Sequence, residues 1–398
     1  MKRFLYKAKG ALALTLAMSI CSTQVFAAEA LSAEAQGVKP APVKELTEEE
    51  LAALQLPQLT KEEALAKAKK HSPDLREVED TLDYLTESIE DIEDRMGTIS
   101  TPTYEYKKWI NDGWHAVVSG VFTMEQTQKQ LRLSRELTNM GLEVSIENYF
   151  SSIKSNEEKL ALTQKNADIQ KRLYEQGYTK YRLGLLSKYK LDELQIAAQK
   201  ANDNVTLLQA SLEQLYVKLN SLMGEKADAR FEYVYDTTFQ PYKMTQTLEQ
   251  YINSAMKDDL TIELLELSLE SAKFSQNYVA ESNTKADSNK QELDYDAAKR
   301  DLKTAKEEKE TAIRNAYLQL QQLETSYASA QADLTKAQAD YRVAQANLAA
   351  GNVTKTTVEQ AEMGVISAQN ALNQIVYNYN ALVYTFENPS LLSSGNTK

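Results

Sequence analysis

From Val358 onward the apolar residues fall at alternating three- and four-residue steps: Val358, Ala361, Val365, Ala368, Leu372, Ile375, Tyr379, Leu382 and Phe386. That spacing lines one face of an α-helix. The same steps occur earlier in the chain, at Leu191, Leu194, Ala198, Ala201, Val205, Leu208, Leu212, Leu215 and Leu219. Each of these precedes its later counterpart by the same interval, the one that separates Gly184 from Gly351. Upstream of each run a heptad beat is visible. Ile313, Leu320, Tyr327, Leu334, Tyr341 and Leu348 match Ile146, Ile153, Leu160, Ala167, Tyr174 and Tyr181 at that interval too. One offset relating 146–219 to 313–386 predicts an internal duplication. A sustained heptad repeat predicts helices packed side by side with a left-handed supercoil.

Each helical pattern is interrupted once, at Gly184 and at Gly351. A helix from about 291 to 350 would run ~90 Å at ~1.5 Å per residue, and the chain must then return. The two glycines supply the permissive backbone for that reversal. Ser187 and Thr354 follow as expected N-caps of the returning helices. The pattern therefore predicts two long antiparallel hairpins, each with its tip at the glycine. The second copy fills its alternate seam positions with Ala316, Ala330, Ala337 and Ala344, which favours close helix axes. The first copy carries Asn156, Thr163 and Gln170 on its seam, either as a register device or as a face turned to water.

Composition agrees with long helices: 398 residues contain 12 Gly and 7 Pro. The N-terminus reads as a secretory signal, 1–27. Lys2, Arg3, Lys7 and Lys9 form a basic start, Ala11 to Ile20 is apolar, and Val25-Phe26-Ala27 suits cleavage. The single cysteine, Cys21, follows Ile20 rather than the small residue of a lipoprotein site, so it is read as part of the discarded peptide. The mature chain then carries 41 basic against 57 acidic residues, a net charge of −16. Nucleic acid does not suit such a chain. Residues 28–58, with Pro40, Pro42 and Pro57, read as a flexible leader. No later stretch is apolar enough for a membrane-spanning helix. His71 and His115 stand alone, no Cys/His/carboxylate spacing suits a metal, and no glycine-rich phosphate loop is present, so neither enzyme activity nor a cofactor is expected. Asp258-Asp259 reads as a helix start.

Several segments resemble the TolC outer-membrane efflux family: the opening "LTKEEALAKAKKHSPDL" (59–75), the glycine tips with their returning helices, "LNSLMG" (219–224), and the reopening "TLEQYINSAMKDDL" (247–260). The order of these segments, duplicated across 59–388, carries the resemblance. It implies an all-α fold of duplicated hairpins, with little or no β structure, as one protomer of a helical barrel. The expected divisions are a first repeat at 59–224, a linker at 225–243, a second repeat at 244–388 and a tail at 389–398. The resemblance also implies a homotrimer, and an adaptor protein that meets the tips and joins them to an ABC or other pump. Leu183, Gly184, Leu185, Leu186, Ala350, Gly351, Asn352 and Val353 are the corresponding tip contacts.

The chain departs from that family in two places. The family inserts membrane strands between the opening motif and the long helix of each half. The stretch from Leu260 to Gly351 is shorter than the one from Leu75 to Gly184, and "ESNTKADSNKQ" (281–291) is the only non-helical material expected in the second half. A spanning hairpin needs two strands of ~9–11 residues. In the first half, Asn111-Asp112-Gly113 is either a turn between strands or part of a helix. Ile110, Trp114, Val117, Val118 and Val121 share one helical face, so a helix or packed loop is expected over 101–122. Trp109 and Trp114 are the candidate membrane-interface residues. The family's paired aspartates after the second tip are replaced by Thr357 and Gln360, with Glu359 and Glu362 on another face. Function is accordingly expected to be that of an exported conduit or dock in efflux or secretion, with a structural envelope or wall scaffold as the alternative. Its place would be the cell envelope: outer-membrane-associated or periplasmic in a two-membrane cell, wall-bound or extracellular in a one-membrane cell.

Overall fold

Two helices of unusual length dominate the computed structural model, which describes residues 56–99, 104–235 and 238–392. The expected signal peptide, and the leader up to residue 55, lie outside the described residues. The elements below belong to one folded unit that begins at Pro57. In chain order they are β1 (Gln58–Leu59), α1 (Lys61–His71), α2 (Pro73–Met96), β2 (Lys108–Ile110), α3 (Asp112–Arg182) and α4 (Lys188–Met223). There follow β3 (Glu232–Tyr233), α5 (Leu248–Ala255), α6 (Leu260–Asn277), β4 (Tyr278–Ala280), α7 (Lys285–Ala349) and α8 (Lys355–Glu387). A 3-10 turn at Pro389–Leu391 closes the described chain. The fold is all-α, as its periodicity predicts, with strands of only two or three residues.

Helices α3 and α7 have 71 and 65 residues, or ~107 and ~98 Å at ~1.5 Å per residue. Each packs along its return helix, α4 or α8, and α3 also packs on α8, joining the hairpins. The duplication is visible in the cores. Ile146 and Ile313, Ile153 and Leu320, and Leu219 and Phe386 are buried pairs at equivalent places in the two copies, each residue at most 2% exposed. In the first copy α1 and Tyr233 complete the core; in the second, Ile252 and Ala255 of α5 do so. The duplicated opening motifs have matching local chemistry. Thr60 with Glu63 and Thr247 with Gln250 both form capping boxes. Ser72 and Asp259 then cap α2 and α6.

At the end away from the tips, β2 pairs in parallel with β4, Trp109 opposite Val279. This cross-link sits over a third core of Ile99, Val118, Val121, Phe122, Phe274 and Tyr278. A second parallel pair joins β1 to β3. These are the only strands among the described residues, and none approaches the ~9–11 residues that a membrane strand requires.

One expectation needs correction. The stretch 281–291 is non-helical only to Thr284: Thr284 forms a capping box with Asp287, and α7 starts at Lys285. No breaker follows to delay it. Over 104–122 the chain forms no strand hairpin and is helical from Asp112, as expected. It runs as a three-residue strand and then enters α3, because the Asn111 side chain accepts from Gly113 N–H at 3.0 Å and so starts a helix rather than a turn.

Two residues of the first copy's polar seam bond within their own helix rather than across the seam. Asn156 Nδ2 donates to Ser152 O, and Thr163 Oγ1 donates to Lys159 O, both within α3.

Phenols set against carboxylates recur through the cores. Tyr377 Oη donates to Glu158 and Tyr379 Oη to Glu324, each at 2.7 Å. Burial is the main cause that pushes these phenols up, and the neighbouring carboxylate adds to it. Tyr379 rises to about 12, as does Tyr233, the latter by burial. Because the folded chain holds these protons more tightly than the unfolded one, their contribution is full below about pH 10. It is lost as pH climbs through the folded values. A titration followed by ultraviolet absorbance should therefore show a group of tyrosines that ionise only near pH 12 and above, together with loss of helical circular dichroism. If all tyrosines titrate near pH ~10 with the helices intact, these phenols are not buried as described.

Candidate docking site at the hairpin tips

The two tips are built alike from their backbones upward. Gly184 has φ +72° and Gly351 φ +74°, the left-handed region that glycine enters without strain. In the first tip Gly184 N–H donates to Tyr181 O at 2.9 Å and Leu185 N–H to Lys180 O at 2.9 Å. In the second, Gly351 N–H donates to Leu348 O at 2.9 Å and Asn352 N–H to Asn347 O at 2.8 Å. Both are Schellman closures, which satisfy the last helical carbonyls. Ser187 and Thr354 then cap the return helices, accepting from Lys190 N–H and Thr357 N–H.

The side chains of the two tips differ. Leu186 and Val353, at equivalent places, are both half-buried against their own hairpins. Leu183 and Leu185 are 69% and 73% exposed, and Tyr189 beside them 74%. At the second tip the equivalent exposed positions are Ala350 and Asn352. The eight expected tip residues thus form two surfaces, one strongly apolar and one small and polar. Periodicity carries no sign of this difference, because loop residues lie outside the repeat.

Just behind the tips, charged residues join the hairpins. Arg172 of α3 meets Glu359 of α8 at 2.5 Å, and Lys165 pairs with Glu362. Further along, Glu158 accepts from Asn373 Nδ2 and Tyr377 Oη, while Ser155 Oγ donates to Gln374 Oε1 at 2.6 Å. These contacts between the hairpins are polar, whereas the seam inside each hairpin is mainly apolar, with Tyr216–Glu157 and Tyr379–Glu324 as polar exceptions. Thr357 and Gln360 provide no carboxylates on α8, and its two acidic neighbours face α3. Gly177 is a position that sequence reasoning missed. A Cβ there would collide with Leu194 Cδ1, so the glycine lets α4 close on α3 where the second copy has buried Ala344.

At the opposite end Trp109 and Trp114 are about half exposed, and Lys107 Nζ lies 5.4 Å from the centre of the Trp109 ring. Among the described residues no group of His, Cys, Asp and Glu gathers to hold a metal, and no helix is long and apolar enough to cross a membrane.

The arrangement of paired hairpins recurs in solved structures. The Campylobacter jejuni CmeC outer membrane channel matches with a TM-score of 0.63 at 11% identity, covering 90% of this chain and 95% of that one. The fold is that of the TolC-like outer-membrane channels. The open state of the Neisseria gonorrhoeae MtrE outer membrane channel matches at 0.61 and 13% identity, covering 85% and 91% of the two chains. The outer membrane protein VceC from Vibrio cholerae matches at 0.55 and 13% identity, covering 83% and 95%. No family model and no curated protein matches the chain. Between the opening motif and the long helix of each half, the only strands among the described residues are the three-residue β2 and β4.

Proposed function

We propose that the mature protein is an exported conduit or docking component of an efflux or secretion system, and that its hairpin tips meet an adaptor protein linked to an ABC or other pump. The observation that carries this reading is the first tip. Its turn is closed by backbone hydrogen bonds, yet Leu183, Leu185 and Tyr189 stay exposed, and local folding does not require them there. Exposed apolar groups gathered at one point favour a protein contact.

The reading includes a homotrimer, which the sides of the hairpins support. Leu293, Leu318 and Val343 recur at even intervals along one face of α7, each at least 59% exposed. Such a stripe suits burial against another copy. The repeats 59–224 and 244–388, joined by 225–243, would each supply one hairpin per protomer. The protein would reside in the cell envelope, with Trp109 and Trp114 as interface residues at the far end. Chemistry plays no part in this role.

The test is to replace both glycines, Gly184→Leu and Gly351→Leu. A Cβ at either position meets nothing within 4 Å, so the cost comes from positive φ, about 1–2 kcal/mol each. Helicity should persist, light scattering should still give a trimer, and capture of the adaptor from the host's transporter operon should fall. Leu212→Ala is the control: it removes a buried seam residue, 7% exposed, at about 2–5 kcal/mol, and leaves the tips intact. Full capture by the double glycine variant would favour the scaffold reading instead.

A further inference from the structure

Below the β2–β4 pair, where α3, α6 and the start of α7 meet, lies a cavity of about 280 Å3. One stripe of α3 forms a wall, with His115, Ser119, Phe122 and Gln126 on successive turns. Phe274 and Ser275 of α6 and Tyr278 of β4 face it, and Gln291 of α7 completes it. Among the described residues no Asp, Glu, Lys or Arg lines the space. Its aromatic side is ordered: Phe122 and Phe274 stack with centroids 3.9 Å apart, and His115 stacks on Tyr278 at 5.4 Å. The His115 Nε2 position is occupied by Tyr278 O at 3.0 Å.

The polar side is unfinished. Gln126 is 4% exposed, yet its Oε1 has no hydrogen-bond partner. Gln291 Oε1 is buried and unpartnered too, and so is Ser288 Oγ one turn earlier on α7. Buried acceptors are ordinarily paired, because leaving one unpaired forfeits its hydration. Two orphaned glutamine acceptors in the lining of one open space, Gln126 and Gln291, point to a molecule that supplies the missing donors.

We propose that this corner binds a small neutral polyol of about a monosaccharide's size, with hydroxyls on Gln126 and Gln291 and its C–H face toward the Phe122–Phe274 stack. An uncharged lining gives neither a cation nor an anion a counter-charge. A purely apolar molecule would leave the amides unpaired. A hydroxyl both donates and accepts, so it satisfies a glutamine in either amide orientation. The volume is below the ~300–1,000 Å3 of pockets for drug-sized ligands, which limits the occupant to about one ring. This inference is independent of the conduit reading.

The experiment uses the mature full chain, with D-glucose and myo-inositol as neutral probes and choline and acetate as charged controls. Saturation-transfer NMR and calorimetry should detect at least one neutral probe with millimolar affinity, and neither control. Gln126→Leu should weaken binding at least tenfold. Gln291→Ala, at a partly exposed position, should do the same and serves if the first variant folds poorly. The proposal is overturned if neither polyol binds at tens of millimolar, as a cavity holding only water would give. It is equally overturned if a charged control binds instead, or if polyol binding survives substitution in a folded variant.

Discussion

Lys309→Ala is expected to cost the folded chain about 3–5 kcal/mol, because it strands a buried charge. Lys309 Nζ lies 3.0 Å from Asp259 Oδ2, out of hydrogen-bond alignment but in ion-pair contact, with the two side chains 8% and 0% exposed. The same ammonium donates to Pro389 O at 2.9 Å and Leu392 O at 3.0 Å. Asp259 meanwhile caps α6, its Oδ1 accepting from Thr261 N–H at 2.8 Å and Ile262 N–H at 3.1 Å. One cation thus fastens α7, the start of α6 and the final turn together. Urea unfolding followed by circular dichroism should show a markedly lower midpoint for Lys309→Ala. The double variant Lys309→Met with Asp259→Asn should recover much of the loss, because asparagine still caps and no buried charge is left over. A single-variant stability within about 1 kcal/mol of the parent would show that water reaches the pair.

Phe386→Ala is expected to cost a comparable ~3–5 kcal/mol, and Leu219→Ala about 2–5 kcal/mol. Both residues are 0% exposed at equivalent places in the two cores. The larger penalty at Phe386 has a specific cause. Its ring stacks with Tyr251 at 4.7 Å and meets Tyr242 edge-on at 5.4 Å, so truncation leaves two aromatic partners facing a cavity. Leu219 is itself aliphatic and has no ring to stack, although its core, with Ile146, Ile153 and Met223, also holds Phe150 and Tyr233. Thermal melts of the two single variants should rank them in that order. Equal shifts would mean that the aromatic contacts of the second core add nothing beyond area.

Wherever a residue's role repeats, it is legible from sequence. The seam positions, the tip glycines and the caps at Ser187 and Thr354 all recur at one offset, and they fall where periodicity places them except next to the tips, where Tyr181 and Leu348 are exposed. Asp259 reads as a helix start and acts as one. What sequence does not reveal are contacts between halves that carry no period. Strands of two or three residues have too few positions to alternate. Lys309 looks like any surface lysine on a charged helix until its distant partners are in place, and Glu359 and Glu362 look solvated until α3 is set beside them. The unequal tips escaped for a similar reason: exposure depends on what packs nearby.

The parallel strand pairs bear on how the chain assembles. Each hairpin joins segments that are near in sequence around its tip, whereas β2 and β4 come from opposite halves of the chain. Loop-closure entropy grows with sequence separation, and long-range pairs in general form late. The hairpins can therefore zip from their tips while the far corner is still open. The β2–β4 contact acts as a final clasp, and it can shut only after the second half has emerged. During synthesis, the first hairpin would accordingly wait with Val118, Val121 and Phe122 uncovered until Phe274 and Tyr278 arrive. The order in which the chain appears thereby sets which apolar surface stays exposed longest.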